Sequence, residues 1–342
     1  MPEITVAITT HNLERYIVPC LEELLGQTYQ DFEILIYDDF STDGTRALLE
    51  EYRGRYPDRL HVILGERPLG SPARSRNAVL DSGRISGRYL VFLDGDDNIE
   101  PNYLQRLHTT AVETGAEITL CAYDRFENET GHVLCQEMRG FPAEITLPAD
   151  RDILAFLNGS LWNKLFRISV LEGLQIPDFS VGEDLSFQLH VLTRCRKIAC
   201  IDEILIHYRV RVGSIISNTK EKSMYAFAQE LESVWKEARE PWLKNTVELI
   251  AFIHIGISMT SRAYDNPDIR ERDFIRWVTN YFAGSFHWFS GNPWFRLSSL
   301  KHHGVQGLGV WGAKVCYRLH LFPLFLWSYK MLTRALHMDI KF

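Results

Sequence analysis

The sequence predicts an α/β protein whose parallel sheet carries helices on both faces, followed by a helical C-terminal region. Over the first 122 residues, short apolar segments alternate with segments whose apolar residues recur at helical spacing. From about residue 219 onward the pattern is helical and rich in aromatic residues. With 342 residues and 46% hydrophobic content, the chain can bury a large core in one domain or two.

The first elements follow from apolar runs and helix-capping residues. Residues 4–8, ITVAI, form a short buried strand in this interpretation, and Asn12 caps a helix whose apolar residues continue to Leu25. Residues 32–37 form a second strand. The STDGT segment after it supplies caps for a helix over residues 45–53.

The later elements continue this alternation and then become mixed. Strands are predicted at 60–64, 89–93 and 117–122, with helices over 72–82 and 101–114 between them. The stretch 123–148 is irregular by pattern. Beyond it we predict helices near 150–158 and 184–194 and a strand over 198–208.

Polar and acidic residues follow three of the predicted strands. These are Thr9, Thr10 and His11 after the first, Asp38 and Asp39 after the second, and Asp94, Asp96 and Asp97 after the fourth. Parallel sheets bind ligands at the carboxyl ends of their strands. The sequence therefore predicts a ligand site where these three segments meet.

The carboxylates of Asp94 and Asp96, one residue apart on a turn, can share a divalent cation. Mg²⁺ and Mn²⁺ prefer oxygen ligands and commonly keep substrate phosphates as partners. A calcium loop is excluded, because its sixth and twelfth positions are Ile99 and Gln105 instead of Gly and Glu. From the motif alone, a solvated acidic turn stays an equally good interpretation.

Composition and the chain start narrow the class of protein. The net charge of −7 gives no general case for nucleic-acid binding. Six cysteines without a CxxC pair favour free thiols in a reducing compartment. The N-terminal residues do not follow a signal-peptide pattern, and no run of about 18 uncharged apolar residues occurs. We therefore expect a cytoplasmic protein.

Six segments occur in an order that resembles the family-2 glycosyltransferases. They are VAITTHN, QTYQDFEILIYDDFSTDGT, SRNAVLDSGRISGRYLVFLDGDD, WNKLFR, VGEDLSF and HYR, within residues 2–215. The resemblance implies the GT-A fold, a nucleotide-sugar donor that is usually a UDP-sugar, a divalent cation (Mn²⁺ or Mg²⁺) and inversion at the anomeric carbon. It divides the chain into a nucleotide-sugar-binding half (1–122), an acceptor and base half (123–215) and a helical region (216–342).

The resemblance also implies roles for residues on the donor side of the site. They are Thr9 and His11 for the base and ribose, Asp39 for the uracil with Asp38 as a weaker candidate, Arg76 near the diphosphate and Asp94 on the ribose side. Each residue also has a structural interpretation. The Asp38–Asp39 pair is also suited to capping the following helix, and Arg76 to the surface of its helix.

The remaining implied roles concern the metal, the base and the acceptor. Asp96 matches the metal ligand and Asp184 of the GED segment the catalytic base. His207 matches a further metal or diphosphate contact, and Trp162 and Glu183 are weaker acceptor candidates. The structural interpretations are a first-turn acid for Asp184, a hydrogen-bonded histidine for His207 and core packing for Trp162.

The resemblance thus implies a metal-dependent hexosyltransferase that transfers a sugar from a UDP-sugar to a glycan or lipid-linked glycan, as in capsule or lipopolysaccharide synthesis. One alternative is a protein that binds nucleotide sugars without turnover. Another is a transferase of phosphorylated polyols, because modules with the NKLFR and GED segments also accompany such enzymes.

The C-terminal segment differs in charge from the rest of the chain. Residues 296–342 hold seven Lys or Arg and one acid, so the segment is +6 and the remainder, for a total of −7, is −13. After Pro323, Leu324, Trp327, Met331, Ala335 and Met338 lie along one helix face. Two interpretations stay open: binding to an anionic membrane surface, and packing on the catalytic domain or on a second subunit of a homodimer.

Overall fold

The computed structural model describes residues 1–149, 151–179, 181–211, 221–266, 268–286 and 291–336. Two compact units are present. The first comprises Met1–Ala149 and Asn158–Ser217, and the second comprises Asp150–Leu157 and Asn218–Phe342. The predicted boundary between residues 215 and 216 lies outside the described residues.

The first unit is built on one mixed sheet. Its strands are β1 (Ile4–Thr10), β2 (Phe32–Asp38), β3 (Leu60–Leu64), β4 (Tyr89–Asp94), β5 (Asn98–Ile99), β6 (Ile118–Glu127), β7 (Val133–Glu137), β8 (Glu144–Thr146), β9 (Lys164–Arg167) and β10 (Lys197–Val210). Along the sheet the order is β3-β2-β1-β4-β9-β6-β10-β5, with β7 paired to β6 and β8 to β10.

Among the described residues, five α-helices belong to the same unit. They are α1 (Ile17–Leu25), α2 (Thr45–Arg55), α3 (Pro72–Leu80), α4 (Tyr103–Thr114) and α5 (Glu183–Leu192). Every residue of β2 is buried, and β1 and β4 are buried almost throughout, as expected for parallel strands covered on both faces. Ser71 accepts a hydrogen bond from the Arg74 N–H, and Pro72 occupies the first helical position, which defines the start of α3.

The fold class is confirmed, with a correction to the sheet. Strands β1 to β4 pair in parallel, but β9 is antiparallel to both β4 and β6, so the sheet is mixed. The stretch 123–148 is less irregular than predicted, because β6 continues to Glu127 and β7 and β8 follow. Strand β7 has no buried residue and only three consecutive apolar residues, so its pattern does not predict a buried strand.

The second unit is helical. Its helices are α6 (Glu221–Glu237), α7 (Pro241–Ala251), a π-helical segment (Phe252–Met259), α8 (Thr260–Asp265), α9 (Glu271–Ser285), α10 (Leu297–Leu300), α11 (Gly304–Arg318) and α12 (Phe322–Leu336). The helix predicted near 150–158 is a single 3₁₀ turn, Ile153–Phe156, that belongs to this unit. In the described part of the chain, the helices are too short or too polar to cross a bilayer.

Candidate active site

The strand register brings three predicted segments together at one edge of the sheet. Thr10 of β1 lies opposite Asp38 of β2, and Thr9 lies opposite Asp94 of β4. Because these strands are parallel, their carboxyl ends form a single rim. The rim therefore collects the polar residues that follow β1, β2 and β4.

Asp38 is engaged entirely within the protein. Its side chain is fully buried, and its two oxygens accept hydrogen bonds from Thr10 Oγ1, Ser41 N, Ser41 Oγ and Arg46 Nε. A carboxylate offers about four acceptor positions, and four donors occupy them. This saturation, at the junction of β1, β2 and α2, favours the structural interpretation of Asp38, and its role in donor binding stays a prediction.

Asp39 and His11 form the next layer of the rim. Asp39 accepts hydrogen bonds from the Leu69 N–H at 2.5 Å and the Gly70 N–H at 3.0 Å, which hold the loop before α3. His11 Nδ1 lies 2.7 Å from the carbonyl oxygen of Asp39. A carbonyl can only accept, so Nδ1 carries the proton and the exposed imidazole is oriented by Asp39.

The acidic turn after β4 holds three carboxylates in different environments. The Asp97 N–H bonds back to the Asp94 carbonyl at 3.2 Å, which closes the turn. Burial, and then the neighbouring Asp94, raise the pKa of Asp96. The same causes together with Asp96 raise the pKa of Asp97 well above its ordinary value, and Oδ2 of Asp97 is buried without a hydrogen-bond partner. The turn therefore concentrates negative charge that is only partly compensated.

Two arginines at the end of β10 approach this turn, and sequence reasoning missed both. The Arg209 N–H donates to Asp97 Oδ1 at 2.9 Å, and its Nε donates to the Asp96 carbonyl at 2.7 Å. The Arg211 guanidinium lies 2.5 Å from Asp96 Oδ2. Their sequence signal is the RVR that continues the HYR segment, but only the sheet brings it to the acidic turn.

Arg76 joins the acidic turn to the predicted base. It lies on α3 with 5% of its surface exposed. One guanidinium nitrogen donates to Asp184 Oδ1 at 2.7 Å and the other to Asp94 Oδ1 at 2.8 Å. Burial lowers the pKa of Arg76, but the two carboxylates outweigh this effect and raise it. Arg76 thus stays charged and fixes both acids relative to each other.

Asp184 and Glu183 open α5, as their predicted place in a first helical turn requires. Burial raises the pKa of Asp184, while Arg76 opposes this shift and Asp94 adds to it. Burial, followed by the charge of Asp184, raises the pKa of Glu183 to about 7. Carboxyl groups with raised pKa values are suited to proton transfer near neutral pH.

His207 is held between two acids. Its Nδ1 lies 2.8 Å from Asp124 Oδ1 and its Nε2 lies 3.0 Å from Glu100 Oε1. Burial lowers the pKa of His207, but both carboxylates raise it and the net direction is upward. An imidazolium that donates at both nitrogens has no lone pair for a metal. The metal role of His207 stays a prediction, and this geometry favours a structural imidazolium.

Trp162 lies in the core of the first unit. Its side chain is buried, stacks on Tyr208 with ring centroids 5.3 Å apart and meets Tyr123 edge-on at 4.6 Å. Such an aromatic cluster stabilises the strands that carry it. The packing interpretation of Trp162 therefore fits the structure better than contact with an acceptor.

The acidic turn fits a divalent cation by its chemistry. Asp94 and Asp96 present carboxylate oxygens at a partly exposed rim, and their mutual repulsion falls when a cation lies between them. Within the described ranges, no cluster of three or more His, Cys, Asp or Glu side chains is arranged to hold a metal ion. A cation here would therefore need further oxygen ligands from water or from a bound phosphate.

The sequence is similar to those of known glycosyltransferases. Residues 5–167 match the model of the family "Glycosyl transferase family 2". Over 238 residues, 67% of this chain, the sequence is 28% identical to the glycosyltransferase GlyA of Streptococcus pneumoniae serotype 4. The chain spans about a third of that relative's length, because the match covers 34% of it.

Solved structures show the same fold. The structure of TarS residues 1–349 from S. aureus with UDP-GlcNAc has a TM-score of 0.72 at 22% identity, covering 94% of this chain and 92% of that one. TarS is a poly(ribitol-phosphate) β-N-acetylglucosaminyltransferase. The mannosyltransferase PcManGT of Pyrobaculum calidifontis, with GDP-Man and Mn²⁺, has a TM-score of 0.52 at 16% identity, covering 99% and 88%. The chain therefore resembles the family-2 glycosyltransferases over residues 5–167 and shares the GT-A fold of these structures.

Proposed function

We propose that the protein is an inverting glycosyltransferase that moves a sugar from a UDP-sugar to a glycan or lipid-linked glycan acceptor. The observation that carries this proposal is the double contact of Arg76 with Asp184 and Asp94. A single guanidinium group thus joins the candidate base to the acidic turn, where the donor would bind. Inverting transfer needs the base on one side of the reacting carbon and the leaving diphosphate on the other.

In this proposal Asp184 removes the proton from the acceptor hydroxyl. Its raised pKa makes it a stronger base than an exposed aspartate, and Arg76 fixes its orientation. Asp39, His11 and Thr9 line the rim where the uracil and ribose would bind. Asp96 would hold Mn²⁺ or Mg²⁺, with Asp94 on the ribose side of the donor, and the cation when bound would stabilise negative charge on the leaving diphosphate.

The similarity to TarS suggests a more specific class of acceptor. Its name describes transfer to poly(ribitol phosphate), a polyol-phosphate chain. A polyol-phosphate or other bacterial surface glycan is therefore our first acceptor class, and transfer of the polyol phosphate itself is the alternative. The two differ in the product released from the donor, which is UDP in sugar transfer.

The direct test is release of UDP from a panel of UDP-sugars with Mn²⁺, followed by an acceptor screen. The screen should include free glycans, lipid-linked glycans and polyol-phosphate polymers. Transfer of a sugar with release of UDP supports the proposal. Tight UDP-sugar binding without turnover on any acceptor would instead identify a binding protein.

Replacing Asp39 with alanine should weaken UDP binding by about 1–3 kcal/mol, the effect of losing a charge-assisted hydrogen bond to the uracil. Asp39 also holds the Leu69 and Gly70 N–H groups, so loosening of that loop must be separated from the direct contact. Titration calorimetry with UDP and with N3-methyl-UDP, which lacks the imide proton, makes this separation.

If Asp39 contacts the imide, the substitution weakens UDP but leaves the affinity for N3-methyl-UDP unchanged. Equal losses for both nucleotides would show that the loop is responsible. Unchanged UDP affinity would refute the uracil contact altogether.

We also propose that the second unit binds an anionic membrane surface, where a lipid-linked acceptor would lie. Among the described residues, fifteen large hydrophobic side chains are exposed, and eight of these lie between Leu297 and Met331. The stripe predicted on α12 faces outward, with Leu324, Trp327 and Met331 exposed by 58%, 52% and 53%. Phe322 and Leu326 are buried and form the packing face instead.

Charge favours a membrane over a second copy of the chain as the occupant of this surface. Residues 304–336 contain four Lys or Arg and no acid. A symmetric dimer through this surface would oppose two basic segments, whereas an anionic bilayer attracts each basic residue by on the order of 1 kcal/mol. The predicted stripe positions Ala335 and Met338 have no described side chains.

Flotation with liposomes of roughly 30–40% anionic lipid tests the membrane proposal. The intact protein should float at low salt and remain at the bottom at high salt. The triple variant Leu324→Ser, Trp327→Ser, Met331→Ser should lose flotation without unfolding, because these side chains are exposed. Val133→Ser with Leu134→Ser, exposed residues of the first unit, is the matched control. Failure of the intact protein to float, or dimerisation that the triple variant abolishes, would contradict the proposal.

A further inference from the structure

A buried lysine interacts with the candidate base, and among the described residues no carboxylate lies within salt-bridge distance of it. Lys164, the first residue of β9, has 1% of its surface exposed. Its Nζ lies 3.0 Å from the Asn158 carbonyl oxygen, 2.8 Å from Asn158 Oδ1, 2.5 Å from the Ser160 carbonyl oxygen and 2.9 Å from Asn163 Oδ1. Four oxygens around one nitrogen suit an ammonium group with three protons, because the lone pair of a neutral amine would face an oxygen.

The loop that Lys164 holds, residues 158–163, packs on the first turn of α5. A Cβ added to Gly159 would lie 2.6 Å from the Leu185 Cβ and 2.8 Å from its Cα, so the loop backbone touches the helix that carries Asp184. The backbone N–H of Leu161 in this loop also favours the ionised form of the Asp184 carboxylate and lowers its pKa. The lysine, the loop and the base are therefore mechanically connected.

They are also connected electrostatically. The groups that act on the Asp184 carboxylate are Arg76 from α3, Asp94 from β4, Lys164 from β9 and its neighbour Glu183 on α5. Burial lowers the pKa of Lys164 to about 7, while the Asp184 charge raises it. The other groups that act on Lys164 are the thiols of Cys121 and Cys200, whose pKa values burial raises to about 12, so both are neutral near pH 7.

We propose that Lys164 is a positioning residue for the base: its ammonium group holds the 158–163 loop against α5, which carries Asp184, and its positive charge stabilises the Asp184 carboxylate. This inference rests on the proposed role of Asp184 in proton transfer. Lys164 acts through Asp184 and the Leu161 N–H and is too deeply buried to meet the acceptor. A lysine with a purely structural role would support the loop without affecting the ionisation of Asp184.

The test is the titration of Asp184 by NMR in protein labelled with ¹³C at the aspartate carboxylates. The Asp184 signal is identified by its absence in the Asp184→Asn variant. In Lys164→Met the pKa of Asp184 should rise by at least roughly half a pH unit, because a nearby positive charge is lost. As the pH is lowered, the kcat of Lys164→Met should therefore fall at a higher pH than the kcat of the parent protein. At pH 7 kcat should fall at least about tenfold, while the donor KM changes less than about threefold.

Two variants serve as controls. Arg167→Met removes the same charge from the same strand, but its guanidinium contacts the Gly115 and Ala116 carbonyl oxygens. It should leave the Asp184 titration within about 0.2 pH units of the parent value. Lys164→Arg keeps the charge and should also keep the titration near that of the parent. If Lys164→Met fails to fold, Lys164→Gln takes its place with the same expected shift.

An unchanged Asp184 titration in a folded Lys164 variant would overturn the proposal, even if activity fell. A shift of equal size in Arg167→Met would also overturn it, because the effect would then be general. The titration needs no turnover. Absence of sugar transfer in the parent protein would therefore contradict the proposed function and still leave the effect of Lys164 measured.

Discussion

Replacing Asp184 with asparagine is expected to lower kcat by ~10²–10⁴-fold while UDP binding stays nearly intact. Asparagine keeps the size of the side chain and can still accept the Arg76 hydrogen bond, so the site retains its shape. It cannot take a proton from the acceptor hydroxyl. Rapid-mix kinetics with saturating donor, together with calorimetric titration of UDP, measure the two quantities separately.

The adjacent Glu183→Gln variant is the control for this substitution. It removes a neighbouring carboxyl group whose pKa is raised to about 7, so it tests whether the wrong acid has been assigned. We expect a much smaller loss of kcat. If Glu183→Gln shows the large loss and Asp184→Asn does not, the base is Glu183. If UDP affinity collapses in Asp184→Asn while residual kcat is normal, Asp184 is a structural residue or donor ligand.

The pH dependence of kcat follows from the same assignment. Asp184 must be ionised to act as a base, and its pKa is raised by burial above the ordinary aspartate value. Activity should therefore fall as the pH drops through this raised value, at a higher pH than for an exposed aspartate. A kcat that stays constant well below pH 4 would contradict a base of this kind.

Replacing Asp96 with alanine is expected to abolish turnover and to weaken UDP binding measured in the presence of Mn²⁺. The side chain lies in the turn after β4 and forms an ion pair with Arg211. Its partner is partly exposed, so the free energy of unfolding should change by no more than about 1 kcal/mol. Thermal unfolding, sugar transfer and UDP titration with and without Mn²⁺ check these three expectations.

Asp202→Ala is a matched control, because Asp202 also pairs with an arginine, Arg139, at 2.7 Å in the same unit. It should leave transfer and the Mn²⁺ effect unchanged. Undiminished transfer by the parent protein in excess EDTA would contradict the proposed dependence on a divalent cation. Equal UDP affinity of Asp96→Ala and the parent protein, with and without Mn²⁺, would show that Asp96 does not link the cation to the donor.

The local sequence pattern was sufficient to predict the strands that consist of continuous apolar runs. The buried strands β1, β2 and β4 are continuous apolar runs, and the polar residues directly after them fall at one rim because the strands are parallel. Asp94 and Asp96 could thus be placed from sequence. The antiparallel β9 could not, because its four residues carry no periodic signal and their direction depends on both neighbouring strands.

By itself the sequence determined the fold class, the acidic turn and the motifs that resemble those of family-2 glycosyltransferases. The tertiary structure decided that Asp38, and not Asp39, is saturated by protein donors. It also decided that Arg76 bridges Asp94 and Asp184, which lies 108 positions after Arg76. It further decided that Lys164 is buried and held by oxygens of the 158–163 loop. Burial and pairing across such separations depend on how strands and helices pack in three dimensions. The spacing of residues along the chain does not predict those contacts.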